Sequence, residues 1–162
     1  MTIQDWGALG EMIGGSAIIV SLIYVGLQIR QNTKATQVAT SQAFIDIHGT
    51  VILAIARDEK FRDIYWRGLN GLSNLNDSEH AAFGAWTAQV LRAWESFYYQ
   101  WKAGAFEEHL WLGWKSQFDD LFGYSGITEI WNMREHHFSD EFRELVAQAI
   151  ERGQSKPLYA RG

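Results

Sequence analysis

The chain contains no cysteine and a single proline, Pro157. Without cysteine there is no disulfide framework, no thiolate nucleophile and no cysteine-ligated zinc or iron–sulfur centre. Proline removes an amide donor and clashes with the preceding helical turn, so its near-absence leaves room for long uninterrupted helices. Positive charge is also short. Across 162 residues, 14 Lys and Arg stand against 19 Asp and Glu, a formal net charge of −5. A general nucleic-acid binder needs a basic face to displace phosphate counterions, so no nucleic-acid partner is expected. A phosphate-cradling loop is missing as well: Gly10-x-x-x-Gly14-Gly15 lies inside an apolar run and lacks the P-loop lysine. No segment alternates apolar and polar residues as a strand would.

What is present begins with an uncharged run. Met12 to Ile29, 18 residues, carries no charge, which reaches the length of a transmembrane candidate. Trp6 and Arg30 flank it; at ~1.5 Å per residue they stand ~36 Å apart, and a hydrocarbon core of ~30 Å fits between them. Trp6, Tyr24 and Arg30 are the expected membrane-interface residues. Thr2-Ile3-Gln4-Asp5 offers a capping box for the helix start. A signal peptide needs a positive n-region, whereas Asp5 and Glu11 are the charges before the run. The stronger competitor is a buried helix of a soluble protein, because Gly14, Gly15, Ser16, Ser21 and Gly26 dilute the apolar character. Membrane helices tolerate such small residues. Arg30 and Lys34 follow the run and no Lys or Arg precedes it. The positive-inside rule therefore predicts a single pass through the inner (cytoplasmic) membrane, N-terminus outside and the C-terminal domain cytoplasmic.

Gly7, Gly10, Gly14, Ala17 and Ser21 recur at spacings of 3, 4, 3 and 4, which puts them along one side of a helix. In lipid there is little hydrophobic drive between helices, so close approach across small residues is what lets them associate. The stripe is a candidate seam for a homo-oligomer, ring or pore. It continues on the same rhythm through Tyr24, Gln28, Gln31, Ala35, Val38, Gln42, Ile45, Gly49, Ile52 and Ala56. The membrane helix and the first bundle helix then read as one rod. The bland alternative is a plain anchor. Glu11 borders the stripe; it is either an interfacial acid favoured by the helix N-terminus or a pore- or partner-facing one.

Beyond the membrane segment (1–31) the pattern predicts a cytosolic helical bundle (32–153) and a flexible tail (154–162). Asn32 to Arg57 is an amphipathic helix with Val38, Ile45, Ile52 and Ile55 inward and Phe44, Ile47 and Val51 widening the face. A short helix follows from Glu59 to Gly68, then a loop from Asn70 to Asn76. Asn76 and Glu79 make a capping box for a helix ending near Ala103, with Trp86, Val90, Trp94, Phe97 and Trp101 inward and Gly104 past its end. Phe106–Phe122, a segment capped by Ser125 and reaching His137, and a last helix capped by Ser139 complete the set. The fold class is all-α: one N-terminal transmembrane helix continuous with a cytosolic bundle of about five further helices.

Catalytic and metal motifs do not emerge. Glu-x-x-His and His-Glu-x-x-His spacings are absent. No Arg is followed five to seven positions later by His, the pattern of helical nucleases of the HEPN kind. The five histidines are His48, His80, His109, His136 and His137. His136 and His137 read as a solvated helix end rather than a pH-sensing patch, and His48 as a satisfied core residue. Tyr98, Tyr99 and Glu95 interleave with the aromatic stripe and offer a small-ligand pocket as a minority reading. The expectation is no enzyme, no cofactor and no metal.

The runs AIIVSLIYVGLQIRQNTKA, RAWESFYYQWKAG, LWLGW and SDEFRELV resemble a widespread family of uncharacterised bacterial proteins. That resemblance implies an N-terminal membrane helix followed by a domain of unknown function, and no activity. A distant likeness, of architecture alone, is to the membrane-pore accessory protein of RNA-targeting CRISPR systems, which joins a membrane segment to a HEPN-like bundle. The functional expectation is a membrane-anchored, non-enzymatic, self-associating protein in contact with the lipid bilayer. The alternatives are an accessory subunit of a larger membrane complex, or a ligand-sensing or HEPN-like domain without the catalytic motif.

Overall fold

The computed structural model of the chain describes the backbone of residues 3–153 and the side chains of Met12 and of residues 14–152. Its helices are α1 (Ile3–Arg57), α2 (Glu59–Leu69), α3 (Asp77–Lys102), α4 (Glu108–Leu121), α5 (Ser125–Arg134) and α6 (Asp140–Gly153). Two 3₁₀ turns, Leu72–Asn74 and Glu135–His137, lie between them, and no strand occurs among the described residues. An all-α chain with a long apolar N-terminal helix running into a helical bundle is what the hydrophobic spacing predicts. The chain divides between Ala39 and Thr40 into two compact units, and α1 crosses the division unbroken.

Local chemistry explains where the helices start and stop. Asp58 accepts hydrogen bonds from the Lys60 and Phe61 amides, turning the chain sharply from α1 into α2. Asn76 accepts from Glu79 N while Glu79 accepts from Asn76 N, the predicted capping box. Gly104 ends α3 at φ 74°, with its N–H on the Trp101 carbonyl. A side chain there would sit in the left-handed region that glycine alone enters freely. Four boundaries differ from expectation, one of them the start of α4 at Glu108 rather than Phe106. The 70–76 loop contains a 3₁₀ turn, and α5 tightens into 3₁₀ geometry after Arg134. Ser125 is the first residue of α5, and Tyr124, at the cap position, makes no side-chain cap.

The bundle core is aromatic. Phe44 of α1 stacks on Phe97 of α3 at 3.7 Å between ring centroids and meets Trp94 and Trp114 edge-on at 5.3 and 4.9 Å. Phe97 continues to Phe106 and Trp111, and Trp111 stacks on Trp101 at 4.8 Å. Phe118 then links Trp94 to Phe142 of α6. Each such ring buries a large apolar area and adds an oriented contact worth about 0.5–1.5 kcal/mol. The other tight point is a helix crossing. A Cβ placed on Gly126 of α5 would lie 1.7 Å from the Gly68 carbonyl oxygen of α2, and one on Gly68 would strike the Phe83 ring at 2.7 Å. Gly126 lets the two backbones touch, and Gly68 makes room for the Phe83 ring.

The broad apolar face expected of α1 is narrower in the structure. Of its predicted inward residues, Val38, Ile45, Ile47 and Ile52 are exposed, Val38 at 63%. Phe44, Val51 and Ile55 are covered as expected and, with His48, form the docked face at spacings of 4, 3 and 4. A helix offers several apolar stripes, and the one chosen is the one whose large ring finds a slot between Trp94, Phe97 and Trp114.

Candidate functional site

Two regions carry functional information: the apolar part of α1 and a cavity in the bundle. One helix among the described residues is long and apolar enough to cross a membrane. Its aliphatic side chains are uncovered, Ile18 at 63%, Leu22 at 67% and Ile29 at 61% exposed. A core helix of a soluble protein would bury such residues, because each leaves roughly 1.5–3 kcal/mol of transfer free energy unrealised in water. The polar groups of the run close on themselves. Ser16 Oγ donates to the Met12 carbonyl and Ser21 Oγ to the Ala17 carbonyl, both at 2.8 Å, while Gln28 Nε2 donates to the Tyr24 hydroxyl at 2.7 Å. Internal pairing of this kind removes the cost of a bare donor in an apolar medium.

Of the predicted seam, Ala17 and Ser21 are exposed, and a Cβ on Gly14 would meet nothing within 4 Å. Gly7, Gly10, Glu11 and Trp6 belong to α1, but their surroundings lie outside the described residues, as does the Thr2–Asp5 cap. Tyr24 and Arg30 are exposed. The seam's continuation stays uncovered at Gln31, Ala35, Val38, Gln42, Ile45, Ile52 and Ala56, because the bundle takes the neighbouring stripe.

The polar residues single out one tie and one cavity. Glu95, buried on α3, accepts from Ser139 N at 3.0 Å and Ser139 Oγ at 2.9 Å and pairs with Arg92. The Ser139 carbonyl opens α6 and its hydroxyl accepts from Tyr99 at 2.8 Å. Burial alone would raise the Glu95 pKa, but the two Ser139 donors and Arg92 outweigh it and hold the carboxyl below its ordinary range. Here the expected Ser139 cap is a carboxylate clamp between two helices. Around Tyr98, Trp111 stacks on Trp101 and its ring centroid lies 6.1 Å from that of Tyr98.

The cavity lies elsewhere, between α1, α2, α3 and α4. His48, Tyr65, Trp86, Trp94 and Gln117 bring polar groups to its lining; Val51, Ile55 and Leu121 are among its apolar walls. Gln117 Nε2 and His48 Nε2 are 3.5 Å apart, and Trp114 meets the imidazole edge-on at 5.1 Å. Burial lowers the His48 pKa, so the ring is neutral at pH 7. Periodicity marks His48 as inward-facing. Gln117 and Trp86 were not singled out as partners, because nothing in the local pattern says that α3 and α4 bring them to one place. No group of three metal-ligating side chains occurs among the described residues. His136 and His137 are exposed, with ring centroids 4.1 Å apart. No protein-family model, curated protein or solved structure matches the chain.

Proposed function

We propose that the protein is a single-pass inner-membrane protein that carries a non-enzymatic helical bundle on the cytoplasmic side and self-associates along α1. The observation behind this reading is the uncovered apolar run of α1, whose hydroxyls, Tyr24 and Gln28 are internally paired. A surface of that kind needs an apolar solvent or an apolar partner. Arg30 and Lys34 after the run favour a cytoplasmic bundle, and Gly7, Gly10, Gly14, Ala17 and Ser21 offer the contact line. The resemblance to bacterial proteins with an N-terminal membrane helix supports the anchor, and the likeness to a CRISPR-associated pore protein supports assembly.

Alkaline carbonate washing of membranes tests the anchor: the protein is expected in the pellet, and release into the supernatant would reject a span. Reporter fusions at each end test orientation. Replacing Gly10 and Gly14 together by Leu is expected to reduce the mass of the detergent-solubilised particle to that of one chain; an unchanged mass would reject the seam. A second reading, an accessory subunit of a larger membrane complex, is favoured by Ile45, Ile52 and Leu53, which the bundle leaves exposed. Stoichiometric co-purification of a different chain at native expression separates it from self-association.

A further inference from the structure

We infer that the cleft between the start of α3 and the end of α5 binds one small organic carboxylate, an anionic head on an apolar body. The inference stands independently of the membrane reading, because every lining residue belongs to the bundle unit. It begins with charge. His80, Arg134 and His137 line the cleft, and no acidic side chain does. In a chain where acids outnumber Lys and Arg by 19 to 14, an opening lined by nitrogen groups alone stands out. Among the described residues, none of the three side chains has a hydrogen bond or an ion pair. Glu79, next to His80, is held by Arg67. A cation at a helix C-terminus needs no ligand to explain it, which accounts for Arg134 and His137. His80 has no such explanation: it is the fourth residue of α3, near the positive end of the helix dipole.

The remaining lining defines the body of the ligand. It is apolar: Ile130, Met133, Ala81 and Gly84. Ile130 is 1% exposed and Met133 48%, so the cleft runs from a buried floor to an open mouth. Gly84 leaves room for that floor, since a Cβ there would lie 3.3 Å from Ile130 Cδ1. The volume is about 200 Å³. An apolar cavity of about 150 Å³ takes benzene, and drug-sized sites begin at roughly 300 Å³, so the fit is one ring or a short branched chain with one head group. The head is a carboxylate because a guanidinium offers paired N–H donors that match its two oxygens. An imidazole adds an N–H donor in either protonation state. Inorganic phosphate would meet the same donors but leave the apolar lining in water, and a neutral molecule would gain nothing from the charge of Arg134.

The test uses the full chain in detergent, with benzoate as the probe and methyl-labelled methionine as the reporter. Met133 is one of three methionines, and its methyl resonance is assigned by its loss in Met133→Leu. A saturable shift of that resonance is expected with benzoate, with weaker binding of inorganic phosphate and none of benzamide, the neutral isostere. Arg134 is exposed, so Arg134→Gln leaves the core alone. It is expected to weaken benzoate by about tenfold or more, the loss of a hydrogen bond to a charged group. Lys60→Gln removes an exposed charge from α2 and is expected to leave benzoate binding unchanged. Ala81 is also exposed; Ala81→Phe is expected to fill the cleft and abolish the benzoate shift at unchanged helical content. A shift that never saturates in the millimolar range would overturn the inference. So would equal losses from Arg134→Gln and Lys60→Gln, which would mean general charge attraction. Phosphate or benzamide binding as tightly as benzoate, or benzoate binding that survives Ala81→Phe at full strength, would overturn it as well.

Discussion

Gly126 and Gly68 give the sharpest single-residue prediction. Because the Gly126 position faces the Gly68 carbonyl oxygen rather than a movable side chain, Gly126→Ala forces α2 and α5 apart. The expected cost is about 1–3 kcal/mol or more, read as a lower midpoint in denaturant with little change in m. Gly113, where an added Cβ would meet nothing, is the control: Gly113→Ala is expected to be neutral or stabilising. Titratable residues predict an acid limb in two stages. His48 has a folded pKa below its ordinary 6.5, so its contribution is complete above about pH 6.5 and is lost as pH falls through the folded value. Arg67 and the Asn76 amide hold Glu79 down from 4.5 to about 2; its contribution is complete above pH 4.5 and drains as pH falls toward 2. Glu95, also lowered, adds to that second stage. Thermal midpoints measured against pH should fall first below about 6.5, and His48→Leu should remove that first stage while leaving the second. A single step below pH 4.5 in the parent chain would contradict the role assigned to His48.

Among the elements, α1 has two jobs on one helix, and Phe44 is where the second begins. Its ring is 6% exposed and in contact with Trp94, Phe97 and Trp114. Phe44→Ala is expected to cost about 3–5 kcal/mol and to loosen the α1 segment from Thr40 to Arg57. Hydrogen exchange should rise there before it rises in α3. Exchange that rises equally in both would mean that α1 and the rest of the bundle unfold as one cooperative unit. The spacing of Phe44, His48, Val51 and Ile55 is as visible in the sequence as that of Val38, Ile45 and Ile52. Periodicity alone does not choose between adjacent apolar stripes; the choice was made by the aromatic slot on α3 and α4. By contrast, the Asn76–Glu79 capping box and the Gly104 stop are local chemistry, and both appear where the sequence predicts them.

For the molecule as a whole, the bundle unit holds an aromatic core, whereas the apolar run of α1 is exposed among the described residues. That contrast makes the proposed anchor testable by deletion. Removing residues 1–39, up to the division between the two units, is expected to give a chain that no longer pellets with membranes and that keeps the near-UV signal of packed tryptophans. Loss of that signal would mean that the bundle depends on the N-terminal unit. A net charge of −5 repels phosphate and lends no support to a nucleic-acid role.

Most of the architecture could be read from the chain because it rests on short-range rules. The absence of strand alternation, the scarcity of proline, the 3–4 rhythm of Trp86 to Trp101 and the caps at Asn76 and Gly104 each act within a few residues. The uncharged run from Met12 to Ile29 is equally local. What could not be read depends on which distant surfaces meet. The choice of the Phe44 edge within the broad apolar face of α1, the contact of Gly68 with Gly126, the clamp of Glu95 on Ser139 and the meeting of His48, Trp86 and Gln117 all join residues more than 30 positions apart or choose within one broad stripe. Such pairings arise when whole helices pack. They leave no periodic trace in either partner alone, and the cavity exists only once four helices have closed around it.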